Sequence, residues 1–279
     1  MPNPISDPLV ENVVVDDIAS VVTVESTTDG VAVVSINRPA KKNAFDALTI
    51  EGLTEVFRTL QGADHVRVVF LRGEGGTFSA GGDLEWMAAS ADLTEADNRA
   101  DALTVATMLK ALTEIPAVTV ALIEGSAFGG GAGLAAACDL AVAVRGTKFA
   151  FSEVKLGLIP AMIAPYIVNA IGPRQAKALF VTGRVFDADR AYELGLIDEV
   201  VADAGALAAA KTRITAEIMT CAPGAVAEAK TLAWDVWSRD IDHGLMEETA
   251  KRLARQRAGE EGQEGVRAFL AKRKPDWAS

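Results

Sequence analysis

The segment VTVALIEGSAFGGGAGLAAACDL, residues 118–140, decides the fold class. Its first six residues run without polar alternation, a pattern that fits a strand covered on both faces. A turn follows at Glu124-Gly125, then three glycines lead into an alanine-rich stretch with no further turn signal, which reads as a helix. Working outward, VVTVE (21–25), VAVVSI (31–36), VRVVFL (66–71) and LAVAV (140–144) repeat the strand pattern. Between and after them FDALTIEGLTEVFRTL (45–60), RADALTVATMLKAL (99–112) and PRQAKALFVTG (173–183) carry apolar residues at three- and four-residue steps. This alternation predicts an α/β domain.

The boundaries follow from where the strand pattern starts and stops. Residues 1–20, with Pro2, Pro4 and Pro8 and no helical period, read as an extended or mobile lead segment. Residues 21–202 form the α/β core. Residues 203–279 read as a helical C-terminal region through LAAAKTRITAEIM, GLMEETAKRLARQR and EGVRAFLAKRK. A break at Ala222-Pro223-Gly224 lets a helix resume with Pro223 in its first turn.

Composition narrows the function. The formal net charge of -11, from 27 Lys and Arg against 38 Asp and Glu, opposes a nucleic-acid partner. No apolar run reaches the roughly 18 residues that span a bilayer, so no membrane association is expected. The N-terminus lacks the basic and apolar regions of a secretory signal, which makes the cytoplasm the expected compartment. The two cysteines, Cys138 and Cys221, have Ala-rich apolar neighbours and are expected to pack in the core. His65 and His243 are the only histidines, so neither a multi-histidine metal centre nor a Ser-His-Asp triad has support.

Two glycine-rich turns carry the chemistry. GGTFSAGGDLEWM (75–87) follows one strand and GSAFGGGAGLAAACDL (125–140) another, each before a helix-like segment. Glycine lets a ligand approach the backbone, and the first N–H groups of a helix have no internal partner, so such turns offer donors for a developing oxyanion. Close helix–strand packing is the alternative reading of either turn alone. A phosphate-binding P-loop is excluded because Leu134-Ala135, not Lys-Ser/Thr, follow Gly133. The GxGxxG spacing of a dinucleotide site is also missing. Glu153, in FAFSEVKLGLIPAMIAPYIV (149–168), is a carboxylate among apolar neighbours, where a raised pKa suits proton transfer. A surface role beside Lys155 stays open for it.

Five motifs in order, INRPAKKNAF (36–45), TFSAGGDLEWM (77–87), SAFGGGAGLAAACDL (126–140), FSEVKLGLIP (151–160) and AFLAKRKP (268–275), resemble the crotonase superfamily of enoyl-CoA hydratases and isomerases. The resemblance covers residues 21–274. It implies a core spiral of ββα turns and a helical C-terminal region that assembles a homotrimer, usually paired into a hexamer. It implies an acyl-CoA thioester as substrate, with coenzyme A part of that substrate and neither metal nor separate cofactor. By the same resemblance the N–H groups of Gly82 and Gly130 form the oxyanion hole and Glu153 is the catalytic carboxylate. Ala80, Asp83 and Leu84 fall on the path of the CoA adenine and pantetheine. Lys42 and Lys272 fall near the CoA phosphates, with a solvated surface role as the alternative, and Phe269 and Lys272 are expected from a neighbouring subunit. Ala44, Gly81, Phe128, Gly129, Gly133 and Met162 complete the implied substrate-binding set, and Trp86, Met87, Phe128, Met162 and Tyr166 are expected to set pocket depth.

Two departures from the family pattern bear on the reaction. Gly133 stands where two-acid hydratases carry their first glutamate, and Ala161-Met162-Ile163-Ala164 replace a glycine-rich stretch, so the pocket beside Glu153 is expected to be narrower and more apolar. The main expectation is hydration of an α,β-unsaturated, branched acyl-CoA, because SEVKLGLIPAMIAPYI (152–167) is similar to 3-methylglutaconyl-CoA hydratases. The alternatives are double-bond isomerisation by Glu153 alone, a non-catalytic CoA-ester-binding protein, and a serine peptidase using Ser79 or Ser126. One helical turn beyond Gly130, a side chain at 133 is expected to point back at the thioester site. Gly133→Glu is therefore expected to raise hydration of short unbranched esters, with Ile163 and Met162 as the steric risk.

Overall fold

A computed structural model describes residues 20–278, so the lead segment assigned to 1–20 lies outside the described residues apart from Ser20. Strands β1 (Val22–Ser26), β2 (Val31–Ile36), β3 (Val68–Gly73), β4 (Val118–Ile123), β6 (Leu140–Val144) and β9 (Glu199–Val201) lie side by side in chain order in one sheet. Only β1 and β2 are antiparallel, joined by a tight turn in which Gly30 takes φ +77°. Every later pairing in this sheet is parallel, so each connection must cross back over a face of the sheet.

The crossovers are built alike. After leaving the large sheet the chain adds a short extended piece to a second layer and then forms a helix. In that layer β5 (Ser126–Phe128) pairs in parallel with β7 (Lys148–Ala150), which pairs with β8 (Phe186–Asp187). Single bridges extend the layer, Ser79 to Ala127 and Phe45 to Gly82. The helices are α1 (Ala47–Gln61), α2 (Leu84–Ala89), α3 (Glu95–Thr113), α4 (Gly130–Ala137), α5 (Ala164–Thr182) and α6 (Ala188–Leu194). The expected spiral of strand, short strand and helix is the fold found. It places the second layer, and the glycine turns with it, at the carboxyl ends of the parallel strands, where open α/β sheets bind ligands.

Both faces of the large sheet are buried, which explains strands without alternation. One face packs Val69 and Leu71 against Leu53, Phe57, Met108 and Leu112 of α1 and α3. The other packs Phe70, Val120 and Val142 against Leu207, Ala210 and Ile214 of α7 (Ala204–Met219). Helices α8 (Pro223–Val236), α9 (His243–Ala258) and α10 (Glu260–Leu270) follow. Pro223 opens α8 at a position where its missing N–H costs nothing. Side-chain caps start the others where the sequence supplies them: Asp46 for α1, Thr94 for α3, Asp203 for α7 and Asp242 for α9. The cysteines part company. Cys138 is half-buried, and desolvation raises its thiol pKa far above the ordinary range. Cys221 is exposed in the turn between α7 and α8, so the expected core role fails there.

Candidate active site

The first glycine turn is held by a polar clamp. Phe45 N–H donates to Gly81 C=O at 2.7 Å, and Asp83 N–H donates to Phe45 C=O at 2.7 Å. Because successive peptide groups of extended chain face opposite sides, the N–H of Gly82 between them points away from Phe45. Arg38 ties the clamp together. Its guanidinium pairs with Asp46 at 2.7 Å and Asp83 at 3.1 Å and donates to Ala44 C=O. Behind it Asn43 is fully buried, with its side chain donating to Glu74 and Thr77 carbonyls at 2.8 and 2.6 Å and accepting from Arg38 N–H at 2.8 Å. Neither Arg38 nor Asn43 stood out in the sequence.

The second turn is held by close packing instead. Gly129 adopts φ +47°, ψ −117°, a backbone conformation open to glycine alone, and its N–H donates to Ala150 C=O at 2.9 Å. A Cβ built at Gly130 would sit 2.9 Å from the Phe45 ring, and one at Gly131 would sit 2.7 Å from Ser79 C=O. Gly130 is the first residue of α4, so its N–H has no partner within the helix. The two turns touch: the Cβ direction of Gly81, at φ +88°, runs 3.4 Å from Gly130 N. Ser79 N–H donates to Ser126 C=O and Phe128 N–H to Ser79 C=O, both at 3.0 Å, locking the turns in register.

Gly82 and Gly130 border one cavity of about 290 Å³, together with Glu153. Its wall is mostly apolar, with Phe45, Trp86, Met87, Leu158, Met162 and Ile163 among the lining residues. Glu153 begins a short 3₁₀ turn after β7, and its carboxyl lies against Gly129, whose Cβ would fall 3.0 Å from Oε1. Its buried Oε2 has no hydrogen-bond partner. Desolvation by burial therefore raises its pKa above the ordinary carboxylate value. Lys155 forms no ion pair with it, which removes the surface reading.

A carboxyl with a raised pKa thus shares a mostly apolar cavity with two glycine turns, and the chain that builds it has recognisable kin. Residues 26–279 match the family described as enoyl-CoA hydratase/isomerase. The chain belongs to that family. It is 33% identical over 242 residues to an enoyl-CoA hydratase of Alternaria alternata, covering 86% of this chain and 78% of that one. It is similar in structure to an enoyl-CoA hydratase from Shewanella pealeana, with 36% identity, a TM-score of 0.88, and 96% and 98% of the two chains covered. AtuE of Pseudomonas aeruginosa is similar at 35% identity and a TM-score of 0.89, with 93% of this chain and all of that one covered. The protein is an enzyme of the enoyl-CoA hydratase/isomerase family.

Other residues singled out in this family member have varied surroundings. Met162 lines the cavity with Trp86 and Met87, whereas Phe128 and Tyr166 do not. Ala44 and Gly81 are buried beneath the first turn, and Ala80 N–H donates to Lys42 C=O at 3.0 Å. Asp83 is buried: its carboxylate accepts from Glu85 N–H at 2.9 Å at the start of α2 and pairs with Arg38. Burial pushes its pKa up, but the Glu85 N–H, Arg38 and the charge of Lys41 together outweigh it and hold the group below the usual range. Leu84 and Lys42 are exposed. Phe269 and Lys272, at the end of α10, are exposed and do not border the cavity. Gly133 requires a correction. It is buried, and a Cβ there collides with Ile163 Cγ2 and lies 2.9 Å from Ile163 Cβ, so α4 cannot carry the expected glutamate while Ile163 fills that space. Ser79 is no nucleophile, since its buried hydroxyl donates to Asn43 C=O at 2.8 Å and accepts from Gly81 N–H at 3.1 Å.

Proposed function

We propose that this enzyme adds water across the α,β-double bond of an acyl-CoA thioester. The observation that carries the reading is the unpartnered Glu153 carboxyl in the cavity bordered by Gly82 and Gly130. The thioester oxygen accepts from both glycine N–H groups, which stabilise the charge it gains; one such donor typically contributes about 2.7–4 kcal/mol. Glu153 takes a proton from water as the water oxygen bonds to Cβ, giving the enolate. Glu153 then returns that proton to Cα and regenerates its carboxylate, so the product gains one H and one OH. The names of the relatives support hydration. The motif likeness of residues 152–167 supports a branched acyl group.

Isomerisation is the second reading, favoured by the Glu153 carboxyl lying against Gly129 and by Ile163 in the space beside Gly133. Mass spectrometry over a panel of straight and branched enoyl-CoA esters separates the two. Hydration adds the mass of water, and migration of the double bond leaves the mass unchanged. Binding without either change would leave a non-catalytic CoA-ester-binding protein.

We also infer that copies of the chain assemble as a homotrimer, alone or paired in a hexamer, through the C-terminal helices. Val266, Phe269 and Leu270 form an apolar stripe on α10 and are 61%, 83% and 75% exposed, more than a lone chain leaves uncovered without reason. A monomer in sedimentation at micromolar concentration would contradict this assembly.

A further inference from the structure

The cavity also carries a polar feature that the hydration reading does not use. Helix α3 presents Asn98, Asp101, Ala102 and Val105 to its wall. Of the residues lining the cavity only Glu153 and Asp101 are ionisable, and both are carboxyl groups; no lysine, arginine or histidine lines it. Asp101 makes no ion pair among the described residues. The cavity continues past Ile50, Trp86 and Asp101 into a groove between α1 and α3. There the lining adds Glu51 and Glu55 against one exposed cation, Arg58.

We infer that Asp101 is a specificity-determining residue that excludes acyl groups ending in a carboxylate and leaves the cavity to uncharged, branched ones. The inference rests on the proposal that this cavity holds the acyl group. A further carboxylate brought here would lose its water, meet no compensating cation among the lining residues and face Asp101 across an apolar space, which is discrimination by repulsion. An uncharged branched end meets Trp86, Met87, Val105 and Met162 and loses nothing polar.

Calorimetry with two saturated esters of the same shape tests this without any turnover: 3,5-dimethylhexanoyl-CoA, uncharged, and 3-methylglutaryl-CoA, with a carboxylate in place of the isopropyl end. The wild type is expected to bind the uncharged ester at least about tenfold more tightly, a modest figure for like charges brought together. Asp101→Asn should shrink that ratio about fivefold or more, and Asp101→Glu, which keeps the charge, should preserve it. Equal binding of the two esters by wild type, or an unchanged ratio in Asp101→Asn, overturns the role of Asp101 and leaves the hydration reading standing. Failure of both esters to bind wild type removes the acyl-CoA reading itself.

Discussion

The two glycine turns border the same cavity, yet they are held by opposite means. The turn at 79–83 is fixed by charge and hydrogen bonds, through Arg38, Asp46, Asp83 and Asn43. The turn at 129–133 is fixed by what it lacks: Phe45, Ser79 and Ile163 occupy the volume that side chains would take. A donor can therefore be positioned by a polar scaffold or by steric absence, and the two fail differently. The first loosens when a partner is removed, and the second bursts when an atom is added.

The largest break is expected on the packed side. Gly133→Glu forces a side chain into Ile163 and buries a carboxylate, so it should cost about 3–5 kcal/mol or abolish soluble expression. Urea denaturation measures it. Gly133→Ala should cost less, and pairing it with Ile163→Ala should recover most of the loss as a coupling between contacting sites. A Gly133→Ala protein as stable as wild type would mean that Ile163 yields freely.

A smaller break is expected on the polar side. Asn43→Ala leaves two partly buried carbonyls and one N–H unpaired, and it puts alanine at φ +55°, for a combined cost of about 2–4 kcal/mol. Hydrogen exchange sharpens the contrast. In this variant amides of 77–83 should lose protection before those of 130–137, and in Gly133→Ala the order should reverse. Loss of protection in both turns together would show that they are one cooperative unit.

The sequence disclosed these two regions unevenly. The strands were legible because both faces are buried and their runs are continuous, and the glycine turns because glycine is scarce between a strand and a helix without a backbone reason. Glu153 stood out as a charge in an apolar stretch. The clamp did not, because Asn43 acts on carbonyls 31 and 34 residues away and no local pattern marks such partners. Asp101 hid in the polar half of α3, although Asn98, Asp101, Ala102 and Val105 follow helical spacing and so share one face. Gly133 misled because one helical turn from Gly130 gives a direction along α4, while only the packed structure shows Ile163 standing in it.

Glu153→Gln tests the central claim most directly, read as kcat on a turned-over enoyl-CoA ester, affinity for a saturated ester, and stability at neutral pH. Burial raises the folded-state pKa of Glu153 above its unfolded value near 4.5. The folded state therefore holds this proton more tightly; the benefit is full below the unfolded pKa and is lost as pH rises through the folded one. Above that window the ionised carboxylate opposes folding, and glutamine removes the opposition. The account predicts that Glu153→Gln lowers kcat by about 10²–10⁴-fold, leaves binding of the saturated ester nearly intact, and is at least as stable as wild type at pH 7. Full turnover in a folded Glu153→Gln protein would contradict it.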